Sequence, residues 1–285
     1  MNLEGRTAVI TGAAGGIGRG IARALARRGC HLALADIDGD ALMRTASEIS
    51  GNEAPDRIRV SQHRLDVADR AAVAALPAQV VAVHGGVDLL VNNAGVAAGG
   101  TFLDIAEDDF DWLMGINFQG VVRMTRAFLP LMLASDDARL VNLSSVFGLV
   151  APPGQTAYCA SKFAVRGFSA SLRHELAGGP VGVTVVHPGG VATSITDNSR
   201  LPRALSAEEA AKQREAFNAF LTMPPETAGE IIVRGVERRK ARVVVGRDAQ
   251  YMALLERLRP VNYWNWLGPS IRRKLTRLVA QGERR

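Results

Sequence analysis

The chain has 285 residues, 47% hydrophobic and 22% charged, with a net charge of +6; a core of this size is stable without disulfides or a structural metal. Its two cysteines and five histidines show no zinc-type spacing, so reduced thiols and no metal site are expected. No basic-then-apolar leader and no run of ~18 apolar residues occurs, so the expected address is the cytoplasm, with no membrane span.

In chain order, a strand-like run at 7–11 (TAVIT) precedes a helical stretch at 16–28, a run at 31–36 (HLALAD), a helix at 39–50, a run at 58–66 and a helix at 68–83. Then come a run at 87–93 (VDLLVNN), a long helix at 107–133, a run at 139–145 (RLVNLSS) and a helix at 156–177. Runs at 181–189 and 241–246 flank a last helix at 225–239. Apolar runs of this length without alternation suit strands covered on both faces. Strand–helix alternation builds βαβ units whose right-handed crossovers put helices on both sides of one sheet. The expected fold class is α/β: a doubly wound parallel sheet of about seven strands in one domain, residues 1–246. Two segments break the rhythm. Residues 194–224 form a long insertion that reads as a lid. Residues 247–285 form an extension past the last strand. The charge is uneven: from Arg234 onward 14 Lys/Arg stand against 4 Asp/Glu, and the rest of the chain carries 20 against 24. A mildly acidic body thus carries a basic tail.

The first run ends in TGAAGGIG, Thr11–Gly18, just before a helix. Glycine permits a tight turn and close approach of a phosphate, and a helix N-terminus favours negative charge. Gly12, Gly16 and Gly18 therefore suggest a dinucleotide cradle. Asp36 ends the second run, eighteen residues past Gly18. A carboxylate there accepts hydrogen bonds from ribose hydroxyls and repels a 2′-phosphate. Ile37 follows, and no basic residue lies in the turn before Arg19, so NAD(H) is favoured over NADP(H).

The helix at 156–177 opens with TAYCASKFAV, which sets Tyr158 and Lys162 one turn apart on one face. A phenol with a pKa near ~10 is a poor base at neutral pH, and a neighbouring cation favours its ionised form. The TGxxxGxG turn, the NNAG of Asn92–Gly95, the Tyr158-x-x-x-Lys162 pair and the PGGVAT of Pro188–Thr193 resemble, in order and spacing, the short-chain dehydrogenase/reductase family. The likeness spans roughly residues 5–246. With the tail, the set also resembles, more loosely, bacterial members labelled acetoin-dehydrogenase-like.

The resemblance implies a Rossmann-type fold and NAD-dependent interconversion of a secondary alcohol and a ketone. Tyr158 would be the general acid/base, and Lys162 would acidify it and hold the nicotinamide ribose. Ser145, thirteen residues before Tyr158, would hold the substrate oxygen; Ser144 points to the opposite strand face. Asn117 would bend its helix and hold a water linking Lys162 to solvent. The cofactor residues implied are Gly12, Gly16, Ile17 and Gly18 in the turn, Asp36 and Ile37 at the second strand end, and Asp66 and Val67 at the adenine. Asn93, Ala94 and Gly95 would border the cofactor; Pro188, Gly189, Val191 and Thr193 would lie at the nicotinamide. The family also implies a homodimer or homotetramer, paired through the helices at 107–133 and 156–177.

The substrate walls expected from 96–102, 146–157 and the insertion are mostly apolar or small, so a neutral, lipophilic alcohol or ketone is expected. No Arg or Lys in the first two walls offers a substrate carboxylate or phosphate a partner, although Arg200 and Arg203 in the insertion could. In the tail, YWNWLGP (263–269) precedes IRRKLTRLVA (271–280), a basic amphipathic pattern. Such a helix either packs on its own body or a partner subunit, or lies on an anionic membrane. No nucleic-acid motif occurs. The alternative to an enzyme is a non-catalytic NAD-binding sensor or scaffold on the same fold; a third reading keeps the fold for dehydratase or epimerase chemistry.

Overall fold

The computed structural model describes residues 1–52 and 58–271. Strands β1 (Thr7–Thr11), β2 (His31–Asp36), β3 (Val60–Arg64), β4 (Leu89–Asn92), β5 (Ala138–Leu143), β6 (Val181–Pro188) and β7 (Arg242–Val245) form one sheet. All neighbours pair parallel, in the order β3-β2-β1-β4-β5-β6-β7. The helices are α1 (Gly16–Ala26), α2 (Gly39–Asn52), α3 (Arg70–His84), α4 (Glu107–Asn117), α5 (Gln119–Met132), α6 (Thr156–Glu175), α7 (Ala207–Asn218), α8 (Pro225–Glu237) and α9 (Arg247–Leu258).

Strands β1, β2, β4, β5 and β6 feed both faces, which is why their apolar runs are continuous, whereas the edge strand β3 (VSQHR) is half-buried to exposed. Ala8 and Ile10 of β1 and Leu32 and Leu34 of β2 join α1, α2 and α8 in one core cluster. Val9, Ala33 and Ala35 point the other way, into a cluster with α3, α5 and α6. Fully burying each large aliphatic side chain stabilises the fold by about 1.5–3 kcal/mol. Helices α1 and α8 meet at two glycines: a Cβ on Gly229 would fall 2.6 Å from Ile21 N, and one on Gly20 would fall 2.8 Å from the Pro225 carbonyl carbon. Arg28 ties the same pair together through Glu230 at 2.7 Å and Glu237 at 2.8 Å.

The strand order reverses between β1 and β4, so a crevice opens at the carboxyl ends of these strands. The helix expected over 107–133 is broken at Phe118, where φ is −114° and ψ −55°. The break falls directly after Asn117, whose buried side chain is engaged outside the helix, as described below. The tail continues as α9 and a helical run over 263–271. The basic helix expected at 271–280 lies, but for Ile271, outside the described residues.

Candidate active site

The parallel strands place Thr11, Asp36, Asn92, Leu143 and Pro188 along one edge of the sheet. The glycine turn after β1 uses left-handed backbone at Gly12 (φ 65°) and Gly16 (φ 52°), which side chains other than glycine's rarely tolerate. It is also tightly enclosed. A Cβ on Gly12 would fall 2.8 Å from Asn93 Nδ2, one on Gly16 would fall 2.9 Å from Thr193 Cγ2, and one on Gly18 would overlap the Gly12 carbonyl.

Asn93 braces the turn by donating from Nδ2 to the Thr11 and Gly12 carbonyls, each at 3.0 Å. Thr11 Oγ1 accepts in return from the Asn93 and Ala94 amides. The Asp36 carboxylate accepts from Ala14 N at 2.9 Å and Asp38 N at 3.1 Å, so it lies against the turn. Ile17 is half-buried on the α1 core and Ile37 is exposed. Asp66 accepts from Ala68 N at 2.8 Å, and Val67 packs on Gly120, where a Cβ would fall 2.8 Å away.

Just past β5, on backbone that is still extended at Ser145, two serines diverge as strand neighbours do. Ser144 is buried and donates to the Lys162 carbonyl at 2.9 Å. Ser145 Oγ accepts from Phe147 N at 3.1 Å and shares a hydrogen bond with the Tyr158 hydroxyl. Tyr158 and Lys162 lie one turn apart on α6. Lys162 is 4% exposed, its ammonium 5.6 Å from the Tyr158 ring centroid, and it donates to the Leu143 carbonyl at 3.2 Å.

Asn117 is fully buried. Its Oδ1 accepts from Val96 N at 2.8 Å, and its Nδ2 donates to the Val96 carbonyl at 3.0 Å and Ser161 Oγ at 3.2 Å. Gly95 permits this convergence: a Cβ there would fall 3.1 Å from Asn117 Oδ1 and 3.4 Å from Lys162 Nζ. Four side chains from α4, β5 and α6 therefore gather beside the turn after β4.

Burial decides the charges of this group. It pushes the Tyr158 phenol up to about 12 against the opposing pull of its Ser145 hydrogen bond. It pushes the Lys162 ammonium down to about 8. Within the chain alone, then, desolvation rather than the expected acidification by Lys162 sets the Tyr158 phenol.

The turn after β6 completes the crevice. A Cβ on Gly189 would fall 2.6 Å from Asp248 Cγ, and the Asp248 carboxylate accepts from Gly190 N at 2.9 Å. Val191 is buried and bridges to Met223 at the far end of the insertion. A cavity of about 470 Å³ opens between the glycine turn and the insertion, lined by Gly15, Gly16, Arg19, Thr193, Ser194 and Leu221. The insertion is anchored by Arg200. Its guanidinium donates to the buried Asp109 at 2.7 Å and stacks 3.8 Å from the Trp112 ring centroid. Arg200, one of two lid arginines that could have met a substrate anion, is therefore occupied by the protein; Arg203 is exposed.

Residues 6–204 match the short chain dehydrogenase family. The chain belongs to that family. It is 43% identical over 265 residues to the oxidoreductase SadH of Mycobacterium tuberculosis, covering 92% of this chain and 94% of that one. A short-chain dehydrogenase/reductase from Burkholderia phymatum, solved in complex with NAD, superposes with a TM-score of 0.83 at 32% identity, covering 90% of this chain and 94% of that one. An alcohol dehydrogenase from Thermococcus sibiricus, solved with 5-hydroxy-NADP, gives 0.70 at 27% identity over 85% and 94%.

Three residues that the sequence pattern did not single out also reach the site loops: His187, Asp248 and Tyr263. His187, fully buried on β6, donates from Nδ1 to the Ser145 carbonyl at 3.0 Å, and burial holds it neutral with a pKa near about 4. Asp248 and Tyr263 come from the extension; Tyr263 Oη accepts from Ala151 N at 2.8 Å. Phe147, from the expected wall at 146–157, stands edge-on to Tyr158 at 6.2 Å and to Phe217 of the insertion's α7 at 6.5 Å. A histidine preceding Pro188 was the one available signal; the others are long-range contacts.

Proposed function

We propose that this dehydrogenase uses NAD(H) to interconvert a neutral, lipophilic secondary alcohol and its ketone. The observation that carries the proposal is the meeting of Tyr158, Ser145, Lys162 and Asn117 beside a glycine cradle at the strand-order reversal. The cradle fits a dinucleotide: its glycines have no room for a Cβ, its amides open a helix N-terminus, and a cavity lies over it. Gly12, Gly16, Ile17 and Gly18 would hold the diphosphate side, Asp36 with Ile37 the adenosine ribose, and Asp66 with Val67 the adenine. Asn93, Ala94 and Gly95, with Pro188, Gly189, Val191 and Thr193, would border the nicotinamide side. When bound, the nicotinamide supplies the hydride acceptor or donor and, when oxidised, a positive charge.

The chain's own residues move the proton and hold the oxygen. Tyr158 gives its hydroxyl proton to the ketone oxygen in reduction and takes the alcohol proton in oxidation. Ser145 donates to the same oxygen and stabilises charge as it develops. Lys162 supplies a nearby cation, held at the sheet end by the Leu143 carbonyl. Asn117 fixes the Val96 backbone and Ser161 behind it. Val146, Phe147, Leu149 and Val150 give an apolar wall, and Phe217, Phe220, Leu221 and Met223 give the lid. The occupied Arg200 further supports a substrate without an anionic group.

Asp36 favours NAD(H) over NADP(H), although both cofactor types occur among the structural neighbours. Residues 1–246 serve as the catalytic body and 247–285 as its extension. Pairing through α4–α5 and α6 would give a homodimer or homotetramer. Tyr158→Phe tests the reading: NADH formation over a panel of aliphatic, cyclic and steroidal alcohols should fall by about 10²-fold or more while NAD⁺ still binds. Full turnover in that variant would refute the acid/base role. NAD⁺ binding without turnover in the unmodified chain would favour the sensor reading.

A further inference from the structure

Helix α9 is apolar on two sides, and the body uses only one of them. Ala249, Met252 and Leu255 face inward, against Val146, Val150 and Val244. On the outside, Arg247, Tyr251, Leu254 and Leu258 follow one another at spacings of four, three and four residues, which aligns them in one stripe. Tyr251 is 59% exposed, Leu254 56% and Leu258 66%. Beyond the helix, Val261 is 86% exposed and Trp266 61%, and the Arg259 guanidinium lies 6.0 Å from the Trp266 ring centroid. A soluble monomer seldom shows clustered large apolar side chains without a use for them.

Charge selects the occupant. Arg247, Arg257 and Arg259 accompany the stripe, and the whole segment from Arg234 carries 14 Lys/Arg against 4 Asp/Glu. Residues 272–285 alone contribute six Lys/Arg against Glu283. A second copy brought face to face would oppose like charges, and so would the chain's own terminal residues laid over the stripe. The complementary surface is anionic outside and apolar beneath. Tyrosine and tryptophan with arginine are the side chains that settle at a lipid headgroup boundary.

We infer that the outer face of α9, with Val261 and the Arg259–Trp266 pair, docks on an anionic lipid bilayer. The inward side of the same helix packs on the loop that carries Phe147 to Tyr158, so a docked molecule would hold its apolar wall near the membrane. Docking itself does not depend on the catalytic reading.

The full chain is floated with vesicles of phosphatidylcholine alone and of phosphatidylcholine with phosphatidylserine. Binding to the anionic vesicles should exceed binding to the neutral ones by about tenfold or more and weaken as salt is raised. The double variant Leu254→Glu/Leu258→Glu, altered only at exposed positions, should lose that binding while thermal unfolding and NAD⁺ binding stay unchanged. Equal flotation on both vesicles would overturn the inference, as would anionic binding that survives the double substitution. Self-association in sedimentation, abolished by the same substitutions, would assign the face to a second copy instead.

Discussion

Lys162 Nζ donates to the Leu143 carbonyl at 3.2 Å while standing 5.6 Å from the centroid of the Tyr158 ring. The last carbonyl of β5 thereby holds a buried ammonium at the sheet edge, beside the phenol on the next turn of α6. Burial moves both groups toward their neutral forms, to about 8 for the amine and about 12 for the phenol. The chain by itself thus keeps Tyr158 protonated at neutral pH, the form needed to donate to a ketone.

That arrangement costs stability. Lys162 has its folded pKa below its ordinary 10.5, so the unfolded chain binds more protons between about 8 and 10.5, and stability from this group rises as pH climbs through that window. At pH 7 the penalty of burying the charge is fully present. Lys162→Met should raise the melting temperature by about 2–6 °C at pH 7 while cutting turnover by about 10²-fold or more. Calorimetry beside an NADH assay checks both; a lowered melting temperature would mean that the amine stabilises the fold.

Asp36 faces the glycine turn through Ala14 N. Asp36→Ala should weaken NAD⁺ binding by about 10–100-fold and leave NADP⁺ binding unchanged or improved, since a repelling charge is lost with the ribose partner. Fluorescence titration of the reduced cofactors gives the ratio, and an unaltered ratio counts against the ribose contact.

Tyr263 braces the wall loop through Ala151 N. Tyr263→Phe removes one hydrogen bond, worth about 1 kcal/mol. We expect KM for a lipophilic alcohol to rise several-fold with kcat within about twofold, because the loop shapes the wall while Tyr158 keeps its own supports. A fall in kcat with KM untouched would place the effect in the chemical step.

On the far edge of the sheet, His84 is buried, bonded at Nε2 to Ser61 Oγ at 2.7 Å, with His63, His31 and Arg59 around it. Burial, helped by those neighbours, depresses its pKa from 6.5 to about 4. Its contribution is complete above pH 6.5 and is lost as pH falls toward 4. Urea unfolding over this window should show stability falling as pH drops, because the unfolded chain protonates His84 first. His84→Gln should flatten the slope, and the depressed His187 should keep part of it.

Much of this molecule was written in local pattern. Continuous apolar runs separated by helical stretches specify a two-sided parallel sheet, since strand and helix periods leave different marks on a sequence. The glycine turn, Asp36 at the end of β2, and Tyr158 one turn before Lys162 are short-range features for the same reason. The divergence of Ser144 and Ser145 follows from the extended backbone that continues past the end of β5. Tertiary structure decided what depends on distant partners: the contacts of Asn117 with Val96 and Ser161; the neutral bias of Tyr158 and Lys162, set by burial; and the loss of Arg200 to Asp109 and Trp112. It also brought Asp248 and Tyr263 from the extension onto the site loops. Sequence spacing reports which side chains share a face, whereas desolvation and long-range hydrogen bonds exist only once the chain has closed on itself.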